Sequence, residues 1–491
     1  MSLREKTVEA VFWVAVSRFS SSILSFITTL VLARLLAPDD FGLVAIASLV
    51  INALQIFRDL GLSQALIYRR DDIQKAADTA FFLVPATGVI LYGLAYLAAP
   101  HVAVFFENEI VKPVLRVLAL DIVISSLGTV PSTLLERELN FGKRVTAEIL
   151  SNVGYAAVCI ALASIGLGVW SIVYGQLTQS VIAAVLVWIL SPWRPAFGFD
   201  KNIAVEISRY GKDIVATAIL IFIFTNIDDA FVGKMLGTSS LGFYTLGFSI
   251  ANLPRQLVTS LVDRVTFPTY SKLQEDYQAL SRAYLRSVKL VSVFSMPAAF
   301  GIFTLAPDII LTLYTRKWEA SIVVIQILSF YGLCRSIGAL SGNVFMAIGK
   351  QSVMPKMTLV QLLLFSALIY PLAMTFGIIG VCMAVAGPIT ITTLWGFYLA
   401  SSYLRFPPTL LVRTLGPQFL SSAIMSLLVG IISHLLTESI LTLGILTIVG
   451  MSVYMAGIHI LTKGTVYNEI LELVFPLRRS LFDRDRHAER G

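Results

Sequence analysis

Residues 378–402 read IIGVCMAVAGPITITTLWGFYLASS, a run with no charged side chain. A helix rises 1.5 Å per residue, so about 20 apolar residues cross the ~30 Å of hydrocarbon in a bilayer. A helix on the surface of a soluble protein would carry a charged face opposite its apolar stripe, and this run has none. Lipid is therefore its solvent. Similar runs lie on both sides of it. The spans predicted from hydropathy and breakers are 10–36, 41–57, 79–99, 114–135, 148–167, 170–190, 213–234, 242–261, 288–306, 321–349, 354–375, 378–402, 414–436 and 440–461. Pro38, Pro100, Pro192 and Pro307 are read as ends, and FGIIG (376–380) and GLG (166–168) as tight links. The composition agrees: 56% of the 491 residues are hydrophobic and 14% charged, against about 25% charged in soluble domains.

The distribution of Lys and Arg sets the orientation. Counting the N-terminus and every second loop as one side collects 28 of the 37, and the other side holds 6. Basic residues concentrate on cytoplasmic loops, so both termini are expected in the cytoplasm. The net charge of +7 then belongs to loops facing anionic headgroups and calls for no nucleic acid. The charged start Arg4–Lys6 leads into a run too long for a signal-peptide core, so 10–36 is read as a retained first helix. Cys159, Cys334 and Cys382 are odd in number and lie in apolar runs; His101, His434, His459 and His487 are scattered. A disulfide framework and a metal or haem site have no support. No Walker A motif is present, so nothing points to ATP hydrolysis by this chain.

Sliding the chain by 200 residues lays ARLLAPDDFGL (33–43) on GKMLGTSSLGF (233–243) and Asn52 on Asn252. Further along, at an offset near 210, Ser126 and Gly128 meet Ser336 and Gly338. Six spans separate the copies, and an even number means both enter the membrane the same way up. The expected architecture is an all-α polytopic transmembrane bundle. Two pseudo-symmetric six-helix halves, 1–200 and 201–405, are related by an axis along the membrane normal. Two additional helices (406–463) and a basic cytoplasmic tail (464–491) follow.

Polar residues inside the spans are the candidate site, because a polar group in hydrocarbon must face protein or water. At 100° per residue, Arg18, Ser21, Ser22, Ser25 and Thr29 share one arc of the first span. Ser48, Asn52, Gln55 and Asp59 do so in the second, and Ser249, Asn252, Arg255, Gln256 and Thr259 in the eighth. Such stripes either hold helices together or line a water-filled cavity. Arg18, Arg255 and Arg335 lie within or at the edges of spans, where each costs roughly 2.5–3.5 kcal/mol at a helix centre. Their bidentate forks suit a phosphate or pyrophosphate. The candidate substrate-binding set is Arg18, Ser25, Asn52, Asn252, Arg255, Gln256 and Arg335. Asp228 and Asp121 are the candidate ion-coupling carboxylates; Asp229 points about 100° away from Asp228. No cofactor is implied beyond a coupling proton or sodium ion.

The motifs LARLLAPDDFGLVAIA (32–47), DLGLSQALIYRRD (59–71), PSTLLERELNF (131–141), GLGVWSIVYGQL (166–177), NIDDAFVGKMLGTSSLGFYTLGFSIANLP (226–254) and RVTFPTYSKLQ (264–274) resemble the polysaccharide flippase family. The nearest branch is the one containing colanic acid and succinoglycan exporters, within the superfamily of MATE exporters and the lipid II flippase MurJ. The resemblance covers about residues 1–405 and puts Asp228 on the family's acidic position. It implies an undecaprenyl-pyrophosphate-linked oligosaccharide turned from the cytoplasmic to the periplasmic leaflet of a bacterial inner membrane by alternating access. Exopolysaccharide or lipopolysaccharide synthesis is the implied setting, with glycosyltransferases and a polymerase as partners and no catalytic residue. The rival readings are a cation-coupled multidrug exporter, which needs an acidic cavity, and a membrane glycosyltransferase or polymerase. The second needs a large extramembrane loop with catalytic residues, and the longest loops here are short and lack a paired-carboxylate constellation.

Overall fold

A computed structural model describes residues 3–464 except 60–61, 70, 197, 254 and 256–265; within helices, the side chains of 3–12, 14–15, 18–19, 59, 64–65, 206–214 and 216–217 also lie outside the description. The protein is helical throughout the described residues. The order is α1 (Leu3–Leu35), α2 (Pro38–Asp59), α3 (Leu62–Tyr68), α4 (Ile73–Phe105), α5 (Val111–Leu118), α6 (Leu120–Arg137), α7 (Phe141–Ser164), α8 (Val169–Leu190) and α9 (Lys201–Ala251). Then come α10 (Tyr277–Ile309), running into a π-turn (Ile310–Tyr314), α11 (Ser321–Ala347), α12 (Val353–Phe376), α13 (Ile378–Tyr403), α14 (Thr409–Leu435) and α15 (Ile440–Thr462). Eleven helices among the described residues are long and apolar enough to cross a membrane. Together with α1 and the two arms of α9, they cover the spans predicted from sequence, except that 254 and 256–261 of the eighth lie outside the described residues. Outward faces such as Leu435 (78% exposed) and Leu441 (79%) need lipid to cover them.

The local chemistry explains most boundaries. Pro38 opens α2, where its missing N–H costs no hydrogen bond, and Asp39 and Asp40 sit in the positive first turn. Asp276 caps α10 by accepting from the N–H groups of Gln278 and Ala279. Gly168 (φ 55) and Gly377 (φ 57) make the predicted tight links with left-handed backbone that costs glycine nothing. One expectation fails. Pro100 and Pro307 lie inside α4 and α10 instead of ending them, because membrane helices tolerate proline where neighbouring groups satisfy the freed carbonyl. The expected break between the seventh and eighth spans falls at Gly237 (φ 84, ψ 176), where the two arms of α9 meet. The expected single span 114–135 lies within the apolar stretch Val111–Arg137, which carries a one-residue turn at Ala119 between α5 and α6.

The chain divides into two compact units, Met1–Thr245 and Leu246–Gly491. In the first, α8 packs on α7 and α6, α1 packs on α7, and α4 packs on α6. Small residues allow the close approach: a Cβ on Gly175 of α8 would lie 2.1 Å from Cys159 Sγ of α7. The connector 191–200 is fastened to α4, since Asp78 accepts from Ala196 N and Thr79 Oγ1 accepts from Asp200 N. In the second unit, α10 packs on α11 and α14, α13 on α11 and α12, and α15 on α14. Ser433 of α14 donates to Asp308 of α10, so the pair of helices beyond the predicted repeat is anchored to α10. The basic tail lies outside the described residues apart from Gly464.

Candidate transport cavity

Asp121 stands in the first turn of α6, just past the turn at Ala119. Two neighbouring helices fix its oxygens. Gln55 Nε2 of α2 donates to Oδ2 at 2.9 Å, and Ser180 Oγ of α8 donates to Oδ1. Ser125, one turn on, donates to the Asp121 carbonyl and accepts from Arg58 Nη1. A cavity of about 310 Å³ opens beside Asp121, lined by Ser21, Leu24, Ser25 and Thr28 of α1, Asn152 and Tyr155 of α7, and Gln176, Gln179 and Ser180 of α8. Its second wall is an amide relay: Gln179 Nε2 donates to Asn152 Oδ1 at 2.6 Å, and Asn152 Nδ2 donates to Ser21 Oγ at 3.0 Å. Nine of the ten lining residues are polar, inside helices whose outer faces are apolar. The bland alternative for such residues, helix-to-helix adhesion, does not need open space between them.

Two sequence-predicted residues, Ser25 and Asp121, thus share this cavity. Asn52 is exposed on α2, one turn before Gln55. Gln55 and Ser21 belong to the predicted stripes, but Arg58, Asn152, Tyr155, Gln176, Gln179 and Ser180 were missed. The available signal was the i, i+3, i+4 spacing of Gln176, Gln179 and Ser180, which puts three polar groups on one face of a membrane helix.

Asp228 lies elsewhere in the same unit. It is buried and accepts a 2.6 Å hydrogen bond from Tyr244, also buried. The bond joins the two arms of α9 across the Gly237 kink, a position where it braces the bend. In the second unit, Arg335 Nη1 donates to Tyr331 Oη at 2.9 Å, and its guanidinium lies over that ring at 5.7 Å. Tyr331 in turn packs on Phe248, with centroids 5.6 Å apart. Asn252 is buried just beyond α9, with no hydrogen bond to its Oδ1. Arg255 is half-buried. The Arg18 side chain and Gln256 lie outside the described residues.

The repeated motif has its own geometry. A Cβ on Gly42 would fall 1.9 Å from the Thr238 carbonyl oxygen, and one on Gly242 would fall 2.0 Å from the Pro38 carbonyl oxygen. Asp39 accepts from Thr238 Oγ1 and Ser239 Oγ. These are reciprocal contacts between positions 200 residues apart, as two-fold-related surfaces make. Beside them, Lys234 pairs with Glu107 at 2.7 Å and holds that exposed carboxyl below its usual value through the hydrogen bond and the opposite charge.

Comparison with known proteins places this architecture. A family model described as "Polysaccharide biosynthesis protein" matches residues 31–323. The chain belongs to that family. Its relatives include the teichuronic acid biosynthesis protein TuaB of Bacillus subtilis, 24% identical over 87% of this chain and 89% of TuaB. The succinoglycan biosynthesis transport protein ExoT of Rhizobium meliloti is 28% identical over 67% of each chain. The solved structure of the lipid II flippase MurJ in an inward closed conformation has the same fold, with a TM-score of 0.74 and 16% identity over 93% of this chain and 100% of that one. The family member described here is a multi-pass membrane transport protein of polysaccharide biosynthesis and not an enzyme.

Proposed function

We propose that the protein carries a polyprenyl-pyrophosphate-linked oligosaccharide from the cytoplasmic to the periplasmic leaflet of a bacterial inner membrane, by alternating access. The observation that carries this reading is the cavity at Asp121, polar on nearly every side yet built from the apolar helix α1 and from α6, α7 and α8, which lie in stretches long and apolar enough to cross a membrane. A glycan is a dense array of hydroxyl groups that lipid cannot solvate, and a flippase must supply their hydrogen bonds during passage. The lipid portion finds matching chemistry in the second unit. There an apolar groove of about 490 Å³ runs between α10, α14 and α15, lined by residues such as Phe294, Gly301, Leu446 and Tyr454. Arg335, Arg255 and Arg18 are the candidate contacts for the pyrophosphate, and Asn52, Asn252 and Gln256 for polar groups beside it.

The reciprocal Gly42 and Gly242 contacts support two six-helix halves, 1–200 and 201–405, and a mechanism in which this crossing closes one face and parts when the other closes. Coupling to a proton or sodium ion would use Asp228 or Asp121. Both termini are cytoplasmic in this reading. Asp121 also favours a second reading, cation-coupled drug export, since a carboxylate lines the cavity. Complementation separates the two. In a strain deleted for the gene, the wild-type protein restores cell-surface glycan and gives no added efflux of cationic dyes. Efflux without restored glycan would reverse the choice.

A further inference from the structure

Which glycan the protein carries is constrained by the chemistry of the Asp121 cavity. The described residues lining it supply four hydroxyls from Ser21, Ser25, Thr28 and Ser180, the Tyr155 phenol, three amides from Asn152, Gln176 and Gln179, and one carboxylate. They include no Lys, Arg or His; the Arg18 side chain, on the same arc of α1 as Ser21 and Ser25, lies outside the described residues. Arg58 of α2 is bonded to Ser125 Oγ and is not among the described lining residues. Hydroxyls, amides and a carboxylate are the groups that hydrogen-bond the alternating donors and acceptors of a sugar's hydroxyls. A phosphate or uronate would instead need cationic forks.

Size and order narrow the ligand further. At about 310 Å³ the cavity lies near the lower end of the about 300–1,000 Å³ of ligand pockets, a volume that suits one sugar ring seated in it at a time. Its walls are also ordered in advance. Gln55 and Ser180 hold the carboxylate, while Gln179 and Ser21 hold the Asn152 amide. Each fixed group keeps a lone pair or proton for a ligand, so little side-chain freedom is lost on binding. Ser25 is exposed and Gln176 half-buried in the space between.

We infer that this cavity is a selectivity site that admits one uncharged or amino pyranose of the transported glycan and rejects uronic and other acidic sugars. The inference rests on the flippase reading above and specifies its substrate. Asp121 accepts from sugar hydroxyls or an ammonium, and its charge repels a carboxylate on the ring. Asn152 and Gln176 are the discriminating amides.

Saturation-transfer difference NMR on the full-length protein in nanodiscs tests it. The probes are glucose, galactose, N-acetylglucosamine, glucosamine, glucuronate and galacturonate, added singly, alongside glycan complementation with the same variants. The expected result is transfer to at least one neutral or amino sugar and none to the uronates. That signal falls at least tenfold in Asn152→Leu and Gln176→Leu, and Asp121→Asn admits a uronate. The proposal is overturned if wild type prefers uronates. It is also overturned if neutral-sugar signals are absent, or survive both leucine variants. Sodium-23 broadening that Asp121→Asn abolishes, with no sugar signal, would make the cavity a cation site and overturn it likewise. In each of those cases restored glycan in wild-type cells leaves the flippase reading intact, whereas failure to restore glycan removes that reading itself.

Discussion

Replacing Gly42 by Ala puts one methyl group where helices α2 and α9 cross. The added Cβ would lie 1.9 Å from the Thr238 carbonyl oxygen and 2.6 Å from its carbon. The obstruction is backbone, which no rotamer change can relieve, so the helices must part until contact reaches at least 3.4 Å. Gly242→Ala meets the Pro38 carbonyl at 2.0 Å, so the two variants should behave alike. Overpacking of this kind typically costs about 1–3 kcal/mol. If the crossing exists in only one transport state, that cost shifts the population by roughly 5- to 150-fold toward the other, at about 1.4 kcal/mol per tenfold. The assay is alkylation by an impermeant maleimide of single cysteines placed at Asp39 or Ser239, with and without each alanine. Labelling should rise in both variants and glycan export should fall. The double variant should cost less than the sum, because separation made for one methyl accommodates the second. Unchanged labelling and export in both single variants would refute the claim that this crossing opens during transport.

Arg335→Ala should lower glycan export at unchanged membrane abundance. Lys should rescue it partly, since it keeps the charge and loses the fork; normal export by the Ala variant at native expression removes Arg335 from the anion site. Asp228→Asn keeps shape and removes charge, so proton coupling there predicts transport in vesicles that no longer responds to pH. Retained pH response with a lowered melting temperature would leave Asp228 as a brace bonded to Tyr244. Glu107 has a folded-state pKa below its unfolded value, so its pairing with Lys234 stabilises above the usual carboxylate range near 4.3. The benefit is lost as pH falls through the lowered value. The melting difference between wild type and Glu107→Gln should therefore be present at pH 7 and vanish in acid; a difference that persists in strong acid would contradict the ion pair. Reporter fusions after Lys201 and Lys272 should read as cytoplasmic, and after Gly237 and Lys317 as periplasmic. A periplasmic signal at Lys272 would break the topology.

The helices were legible because hydrocarbon imposes a length on them: 170–190, 378–402 and 440–461 agree with α8, α13 and α15 to within a residue at each end. The misreadings arose where tertiary packing overrides local chemistry. Proline at 100 and 307 signals an end in isolation, but a packed membrane helix carries it through. Of the cavity, periodicity revealed Ser21, Ser25 and Asp121, since each stripe lies on one helix. It could not show that Gln55 and Ser180 come from separate helices to the same carboxylate, nor that Asn152 links Gln179 to Ser21. Those relations depend on which helices are neighbours. The likeness of 33–43 to 233–243 was visible in the sequence, but the reciprocal crossing at Gly42 and Gly242 needed the folded chain.

Leaflet-to-leaflet movement of a lipid-linked glycan is measured directly in proteoliposomes loaded on the outer leaflet with the lipid-linked oligosaccharide extracted from a strain deleted for this gene. An impermeant galactose oxidase or periodate reagent then reports how much glycan remains outside. Wild-type protein should move the glycan to the protected leaflet faster than empty liposomes do and faster than the Arg335→Ala protein does. Equal protection with wild-type protein and with no protein would contradict the flippase reading.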